Sequence, residues 1–432
     1  MRKHAIILGI AAAVGLLLEA SAARANGFYI QEMSAAGMGQ GMAIVAGNGR
    51  PTAQYHNASA LSFLKGGYLE FSGTTYLFTG GYENPQGQKT SPTTAPIFVP
   101  SFFASYKVND WLAVGLSEFT NFGLKIRWPK DWEGRTIAIE SGMETFTINP
   151  NVSFGPFKGF AVGVGFNAMH GSFRILRALA LGQNPTGEAD VPNTVDIQGA
   201  AWGYGVNVGL MYQPLDWMRI GLGYRSGIKI QADEGTMDFD VSSPFASRFP
   251  DQRFKASIQL PHLVFGGIRF WPRKNLSLEL DAQWVQWSSY DKLRFELQKG
   301  LVVGPNKKQM VLEEVKDYQD AVQLRVGMDW AILDEHLSLR LGFLWDQNPV
   351  PDKSVDPTLP DTQRVMPCIS LGTQWSGFFV DVAYMPVIGL DRKVTLKDGA
   401  PMEGTYTSVT HDFTFTVGYH WDTVKSKPVE SP

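Results

Sequence analysis

At 432 residues the chain can hold two or three average domains or one large β-structure, and only 18% of it is charged, below the roughly 25% of a typical soluble domain. With 12% aromatics and 45 glycines it is neither a disordered chain, which is charge-rich and aromatic-poor, nor a soluble helical enzyme, whose helix interiors so much glycine would weaken. A net charge of −3 gives no electrostatic argument for nucleic acid, and the single cysteine, Cys368, excludes an intramolecular disulfide framework and a cysteine-cluster metal site.

The N-terminus comes first. Arg2 and Lys3 precede an apolar stretch from Ala5 to Leu18, and Ala23-Arg24-Ala25 has the form of a cleavage site. The apolar stretch is shorter than the about 20 residues a membrane helix needs. Residues 1–25 therefore read as an export signal, with an N-terminal anchor helix as the alternative. No later apolar run reaches the length of a spanning helix, so a helical membrane protein is excluded.

Residues 26–67 lack a long alternating strand and are rich in Gly, Ala and Ser. A barrel wide enough to leak needs something in its lumen, so this segment is expected to fold inside as a hatch. A flexible tail or a periplasmic docking arm is the other reading.

From residue 68 to 421 the pattern is that of strands. The last is the cleanest: Val409, His411, Phe413, Phe415, Val417, Tyr419 and Trp421 alternate with Thr410, Asp412, Thr414, Thr416, Gly418 and His420. A period of two over thirteen residues is a strand longer than the usual 5–6 residues of soluble sheets. The same alternation recurs around Met218, Leu324 and Leu339. In lipid every backbone polar group must be paired, so such strands close into a barrel with Arg219, Arg325 and Asp329 facing the lumen and aromatic residues at the interfaces. A soluble sandwich also alternates, but its strands are shorter and lack aromatic ends. About fourteen strands are expected, an all-β transmembrane antiparallel barrel, with short turns such as Asn109-Asp110 on the periplasmic side. Long connections, near 79–98, 174–197, 232–252, 299–317, 348–363 and 389–405, belong to the extracellular side. Residues 422–432 remain as a C-terminal tail.

Several short motifs, in order, carry a resemblance. Asn26-Gly27-Phe28, Ser34-Ala35-Ala36-Gly37-Met38-Gly39 and His56-Asn57-Ala58-Ser59-Ala60-Leu61 are followed by Trp132-Glu133-Gly134-Arg135, Gly223-Tyr224-Arg225-Ser226, Trp284-Val285-Gln286-Trp287-Ser288 and Leu359-Pro360-Asp361. Together they resemble the long-chain fatty-acid transporter (FadL-type) family of outer-membrane proteins, over essentially the whole chain after residue 26. The resemblance implies a fourteen-strand barrel with an N-terminal hatch, in which Phe28, Asn57, Ala58 and Ser59 belong to the hatch. One departure stands out: Asn57-Ala58-Ser59 replaces the family's Asn-Pro-Ala. Losing a proline removes a fixed φ and would loosen that turn.

The residues offer little for catalysis. None of the seven histidines has metal-ligand spacing, and His170-Gly171-Ser172, the nearest approach to a nucleophile with its base, lacks an orienting residue. No enzyme activity and no cofactor are expected. Capture of an apolar solute needs apolar surface on extracellular loops, and Leu176, Leu179 and Ala180 recur at helical spacing in the loop after Phe173. The resemblance places Arg177 by a ligand head group, where a guanidinium could take two carboxylate oxygens; an arginine paired with Asp281 or Glu279 is the alternative. The resemblance also implies sideways release at a kinked third strand, matched to Glu133 through Met143 with Gly134 and Gly142 at its ends.

The function expected is uptake of hydrophobic molecules, foremost long-chain fatty acids, bound by Phe173, Leu176, Arg177 and Leu179 and released through the Gly134–Gly142 gate. Aromatic hydrocarbons are the alternative ligands; a general porin and a barrel lipase are the alternatives of other class. The partners expected are the hydrophobic solute, outer-membrane lipid and lipopolysaccharide, and the barrel-assembly machinery, with no nucleic acid and a monomeric state.

Overall fold

The alternation along the last strand decides which way the sheet faces. Phe413 and Phe415 are 46% and 52% exposed, while Asp412 and Thr416 on either side of them are 1% and 0% exposed. A soluble protein inverts this order. Here the apolar face points outward and the polar face inward, which is stable only where the outside is hydrocarbon. The computed structural model describes residues 27–181, 193–241, 246–302, 308–333 and 336–422. The expected export signal and almost all of the expected tail lie outside the described residues.

Fourteen strands make the wall: β1 (Gly67–Glu83), β2 (Ile97–Asn109), β3 (Leu112–Phe119 and Gly123–Arg127), β4 (Glu140–Phe157), β5 (Phe160–Ala178), β6 (Thr194–Leu215), β7 (Met218–Arg225 and Lys229–Asp240), β8 (Gln252–Gln259 and Leu263–Arg273), β9 (Leu276–Val285 and Lys292–Val302), β10 (Lys308–Val315 and Ala321–Ile332), β11 (Leu337–Asp346), β12 (Arg364–Trp375), β13 (Phe378–Gly389) and β14 (Gly404–Trp421). Each pairs antiparallel with its neighbours in sequence, and β1 closes on β14 from Gly67↔Trp421 to Glu83↔Thr405. Closure leaves no sheet edge in the lipid.

Two expectations are corrected. Residues 232–252 and 299–317 are not simple loops, because β7 to β10 bend at 226–228, 260–262, 286–291 and 316–320 and continue above the bend as second arms. The inner face of those arms is apolar, with Phe254, Phe295 and Leu297 buried together, so pairing continues above the membrane band to bury it. The helix proposed around Leu176 is strand: β5 runs to Ala178, with Leu176 paired to Glu140 and Asp196.

The segment before β1 lies within the barrel. It holds one short helix, α1 (Ala35–Gly39), capped by Ser34, whose side chain accepts from Gly37 N at 3.2 Å, and two 3-10 turns, Pro51–Tyr55 and Ala58–Phe63. Too short to bury its own polar groups, it uses inward-facing wall residues. Ala35 N donates to Thr416 Oγ1 (2.8 Å), Val45 N to Asp281 Oδ2 (3.0 Å) and Ala46 N to Glu279 Oε1 (2.6 Å). From the wall, Arg225 Nε donates to Tyr55 O (2.7 Å), and Arg269 Nη2 to Gln40 Oε1 (2.8 Å) while pairing with Glu279. Wall glycines allow close approach: a Cβ on Gly223 would fall 1.9 Å from His56 O, and one on Gly163 2.4 Å from Ala58 C. The Asn57-Ala58-Ser59 turn, without its proline, is held by Asn57. Its Oδ1 accepts from Ser59 N (3.1 Å), and its Nδ2 donates to Val45 O (3.1 Å) and Leu210 O (3.0 Å).

Two outcomes test this packing. Arg269→Met leaves Glu279 buried without its cation, which should destabilise the barrel by about 3–5 kcal/mol in urea titration of the detergent-solubilised protein. Deleting residues 26–60 should turn a closed barrel into a conducting one in planar bilayers; unchanged conductance would show that the segment does not seal the lumen.

Candidate functional site

Strand alternation builds the site. On β5 the odd positions face inward, so Phe173, Ile175 and Arg177 line a cavity of about 330 Å³ at the mouth. Ile230 and Ala232 of β7, Ala256 and Ile258 of β8, Leu293 of β9 and Val315 of β10 complete its apolar wall, with Tyr290 and Tyr318 at the bends. Its charged side is a chain of pairs. Arg177 Nη1 donates to Glu314 Oε1 at 3.0 Å, Glu314 Oε2 lies 3.5 Å from Lys316 Nζ, and Lys316 Nζ lies 3.5 Å from Asp356 Oδ2. Burial opposes the charge on Lys316, yet Asp356, Tyr290 and Glu314 together hold its pKa above the ordinary lysine range.

A second cavity, of about 710 Å³, lies beside it, and Phe28, Leu124, Met143 and Leu359 line both. Phe28 stands at that boundary because its ring packs edge-on against Trp287 (4.7 Å), Tyr290 (5.7 Å) and Phe122 (6.1 Å). Below it, Gly27 N donates to Asp361 Oδ2 (2.9 Å), and Arg364 Nη2 donates to Gly27 O (3.0 Å). The second cavity carries Glu32, Asp346, Asp361 and Asp412 with Arg364 on its inner side. Burial pushes the Asp361 carboxyl up from its ordinary range, against the pull of Arg364.

This second cavity reaches the wall where the wall is incomplete. β2 pairs with β3 only from Phe102↔Glu118 to Asn109↔Leu112. Above that, residues 97–101 pair with β1 alone, and Gly123–Arg127 pairs with β4 alone. The break has a local cause. From Phe119↔Thr147 to Gly123↔Glu144, β3 passes three residues, Thr120, Asn121 and Phe122, while β4 passes two, Phe146 and Thr145. One extra residue is a bulge, which bends a strand and interrupts its ladder. Residues 28–30 cover the bulge from inside: Ile30 N donates to Asn121 O (3.0 Å), Gly123 N to Phe28 O (3.0 Å), and Tyr29 bridges Phe122. Above the gap, Thr93 N donates to Arg127 O at 2.7 Å.

The sequence-based site residues divide. Phe173 and Arg177 line the mouth cavity, and Arg177 pairs with Glu314 rather than with Asp281 or Glu279. Leu176 faces away from the lumen, since neighbours on a strand alternate. Leu179 is partly buried and packs against the apolar cluster of the arms that includes Phe254, Phe295 and Leu297. The two glycines expected at the gate lie apart from the break: Gly142 is in β4, paired to Lys125 on one side and Arg174 on the other. Gly134 lies in a turn beneath Trp132, where a Cβ would come 2.3 Å from the indole. The bulge left no mark in the alternation of the sequence: apolar residues fall on even positions before it (Val114, Leu116) and after it (Leu124, Ile126), but Val114 and Leu116 are exposed whereas Ile126 is buried and Lys125 and Arg127 are exposed. Glu314 and Lys316 carried no signal either, because the bends in β10 and β9 bring them to Arg177.

Residues 16–421 match the family model described as outer membrane protein transport protein (OMPP1/FadL/TodX). The long-chain fatty acid transport protein of Escherichia coli is 22% identical, over 87% of this chain and 90% of that protein. Among solved structures, a FadL homologue of Pseudomonas aeruginosa superposes with a TM-score of 0.75 at 18% identity, covering 91% of this chain and 100% of that one. The toluene transporter TodX of P. putida gives 0.69 at 15% identity, covering 90% and 99%. With the family matched over nearly the whole described barrel, the chain belongs to the OMPP1/FadL/TodX outer-membrane proteins, β-barrels of the bacterial outer membrane that transport hydrophobic compounds and are not enzymes.

Proposed function

We propose that this barrel binds an elongated hydrophobic molecule in the mouth cavity, passes it by Phe28 into the second cavity, and releases it sideways into the membrane through the break between β2 and β3. The observation that carries this reading is that Phe28 belongs at once to both cavities and to the segment covering the bulge. A molecule pushing past Phe28 strains the two backbone hydrogen bonds, Ile30 to Asn121 and Gly123 to Phe28, that cover the gap from inside. Exit straight down meets a hatch bonded to the wall on many sides. Exit through the gap meets apolar side chains, among them Phe98, which is 66% exposed.

Long-chain fatty acids are the ligand that the E. coli relative's name favours. A neutral hydrocarbon is the reading favoured by Arg177 being already paired and by the name of the TodX structure.

The release step has a direct test. Deleting Asn121 removes the extra residue, so Thr120 and Phe122 come into register with Phe146 and Thr145 and β3 can continue its ladder. Uptake of the hydrophobic solute by intact cells should then collapse, while the purified, heat-modifiable variant still binds it. Undiminished uptake in a folded variant would show that the solute leaves another way.

A further inference from the structure

Among the described residues, every cation that lines the two cavities of the path just proposed has a carboxylate partner. In the mouth cavity the lining charges are Arg177, Lys316 and Lys353 against Glu314 and Asp356, with Asp317 pairing Lys353 from outside the lining. The sum is three against three. Glu314 is the central member: one of its oxygens takes the Arg177 guanidinium and the other faces the Lys316 ammonium. That is the seat an incoming carboxylate would need, and a carboxylate of the chain itself occupies it.

The second cavity points the same way on independent grounds. Its inner side presents four carboxyls, Glu32, Asp346, Asp361 and Asp412, to one guanidinium, Arg364, which is shared between Asp361, Asp346 and the backbone at Gly27. Asp412 is 1% exposed, and its Oδ1 has no hydrogen-bond partner. Lys125 and Arg127 at the outer edge are paired to Glu144 and Glu140. An anion travelling this route would leave a filled seat for a cavity whose one inner guanidinium, Arg364, is already taken by carboxyls of the chain.

Resting on the reading that these cavities are the transport path, we infer that the substrate is an uncharged hydrophobic molecule, and that Glu314 is the residue that sets this preference by filling the carboxylate seat between Arg177 and Lys316. Specificity here comes from a repulsive element built against the wrong ligand. A hydroxyl or carbonyl can still accept from the outer edge of Arg177 without displacing Glu314, so weakly polar chains remain acceptable.

Equilibrium binding of three radiolabelled sixteen-carbon probes, hexadecan-1-ol, hexadecanoate and hexadecylamine, to the mature protein in detergent at pH 7.5 tests this, with micelle partitioning measured in parallel. The alcohol should bind at least about tenfold tighter than the carboxylate. Glu314→Gln keeps the shape and removes the charge, so the alcohol-to-carboxylate ratio should fall by about tenfold or more, and Arg177→Met in that background should restore it. Equal affinities for alcohol and carboxylate in the parent protein, an amine bound tighter than either, or a ratio unmoved by Glu314→Gln would each overturn the inference. Ala256→Trp, which fills the mouth cavity, separates the two levels. If it weakens neither the alcohol nor the carboxylate, the cavity is not the binding site and the transport path fails with the inference; if it weakens both while the ratio resists Glu314→Gln, only the charge preference fails.

Discussion

Every backbone amide at membrane depth must find a partner without help from water, and this constraint shapes the molecule more than any other. It makes the strands long, closes β14 on β1, and turns the apolar faces outward. It also makes any break in the ladder conspicuous. Between β2 and β3 the wall gives up pairing over several residues, and the groups released at the bulge are not left bare. Asn121 O and Gly123 N are taken up by Ile30 and Phe28 of the N-terminal segment, and side chains take up others: Thr120 Oγ1 donates to Thr145 O (2.6 Å) and Thr145 Oγ1 to Phe122 O (2.6 Å). The N-terminus behaves as a short piece of substitute strand laid inside the barrel.

The same constraint explains why the lumen is so polar. A hatch of short turns carries many unpaired backbone groups, and strands facing lipid on one side have only their inner side to meet them with. The wall answers with carboxylates aimed at backbone N–H groups, as Asp281 and Glu279 do at Val45 and Ala46, and with arginines aimed at carbonyls, as Arg225 does at Tyr55. Two of the charges expected to face the lumen meet the hatch there: Arg219 lies over Phe63, and Arg325 reaches Gln31 and Met42 O.

The barrel was legible because one face of every strand repeats with period two, and lipid tolerates few exceptions. Phe173 and Arg177 face inward by the same rule, but the residues after Phe173 read as a loop with helical spacing, and Arg177 was placed by resemblance alone. What sequence could not supply was height and bending. Gly134 and Gly142 looked like the ends of a kink because glycine permits one, but Gly142 is paired on both sides and Gly134 is needed for the space that Trp132 fills. The bulge at residues 120–122 has its glycine only at the edge, and the apolar residues keep to even positions on both sides of it, so the alternation does not betray it. Glu314, the partner of Arg177, is 137 residues away in sequence. Only the coincidence of two bent hairpin arms brings it there.

Hatch and N-terminal cover differ in what it costs to move them. The body of the hatch is held by the buried ion pair of Arg50 with Asp381 and by hydrogen bonds to buried wall charges, Arg269 to Gln40 and Ala46 N to Glu279, and breaking a buried pair costs about 3–5 kcal/mol. The cover at residues 28–30 is held by two backbone hydrogen bonds to the bulge, each worth about 0.5–1.5 kcal/mol net, and by edge-on ring contacts of Phe28 of similar size. A bound hydrophobic molecule offers Phe28 new apolar contact in place of Trp287 and Tyr290, which offsets most of the ring term. It offers the hatch body nothing that replaces a buried ion pair. On the path proposed above, the ligand's binding energy would have to lift only the cover, whereas exit straight down would have to break the buried contacts of the hatch as well, and this difference is the packing argument for the sideways route.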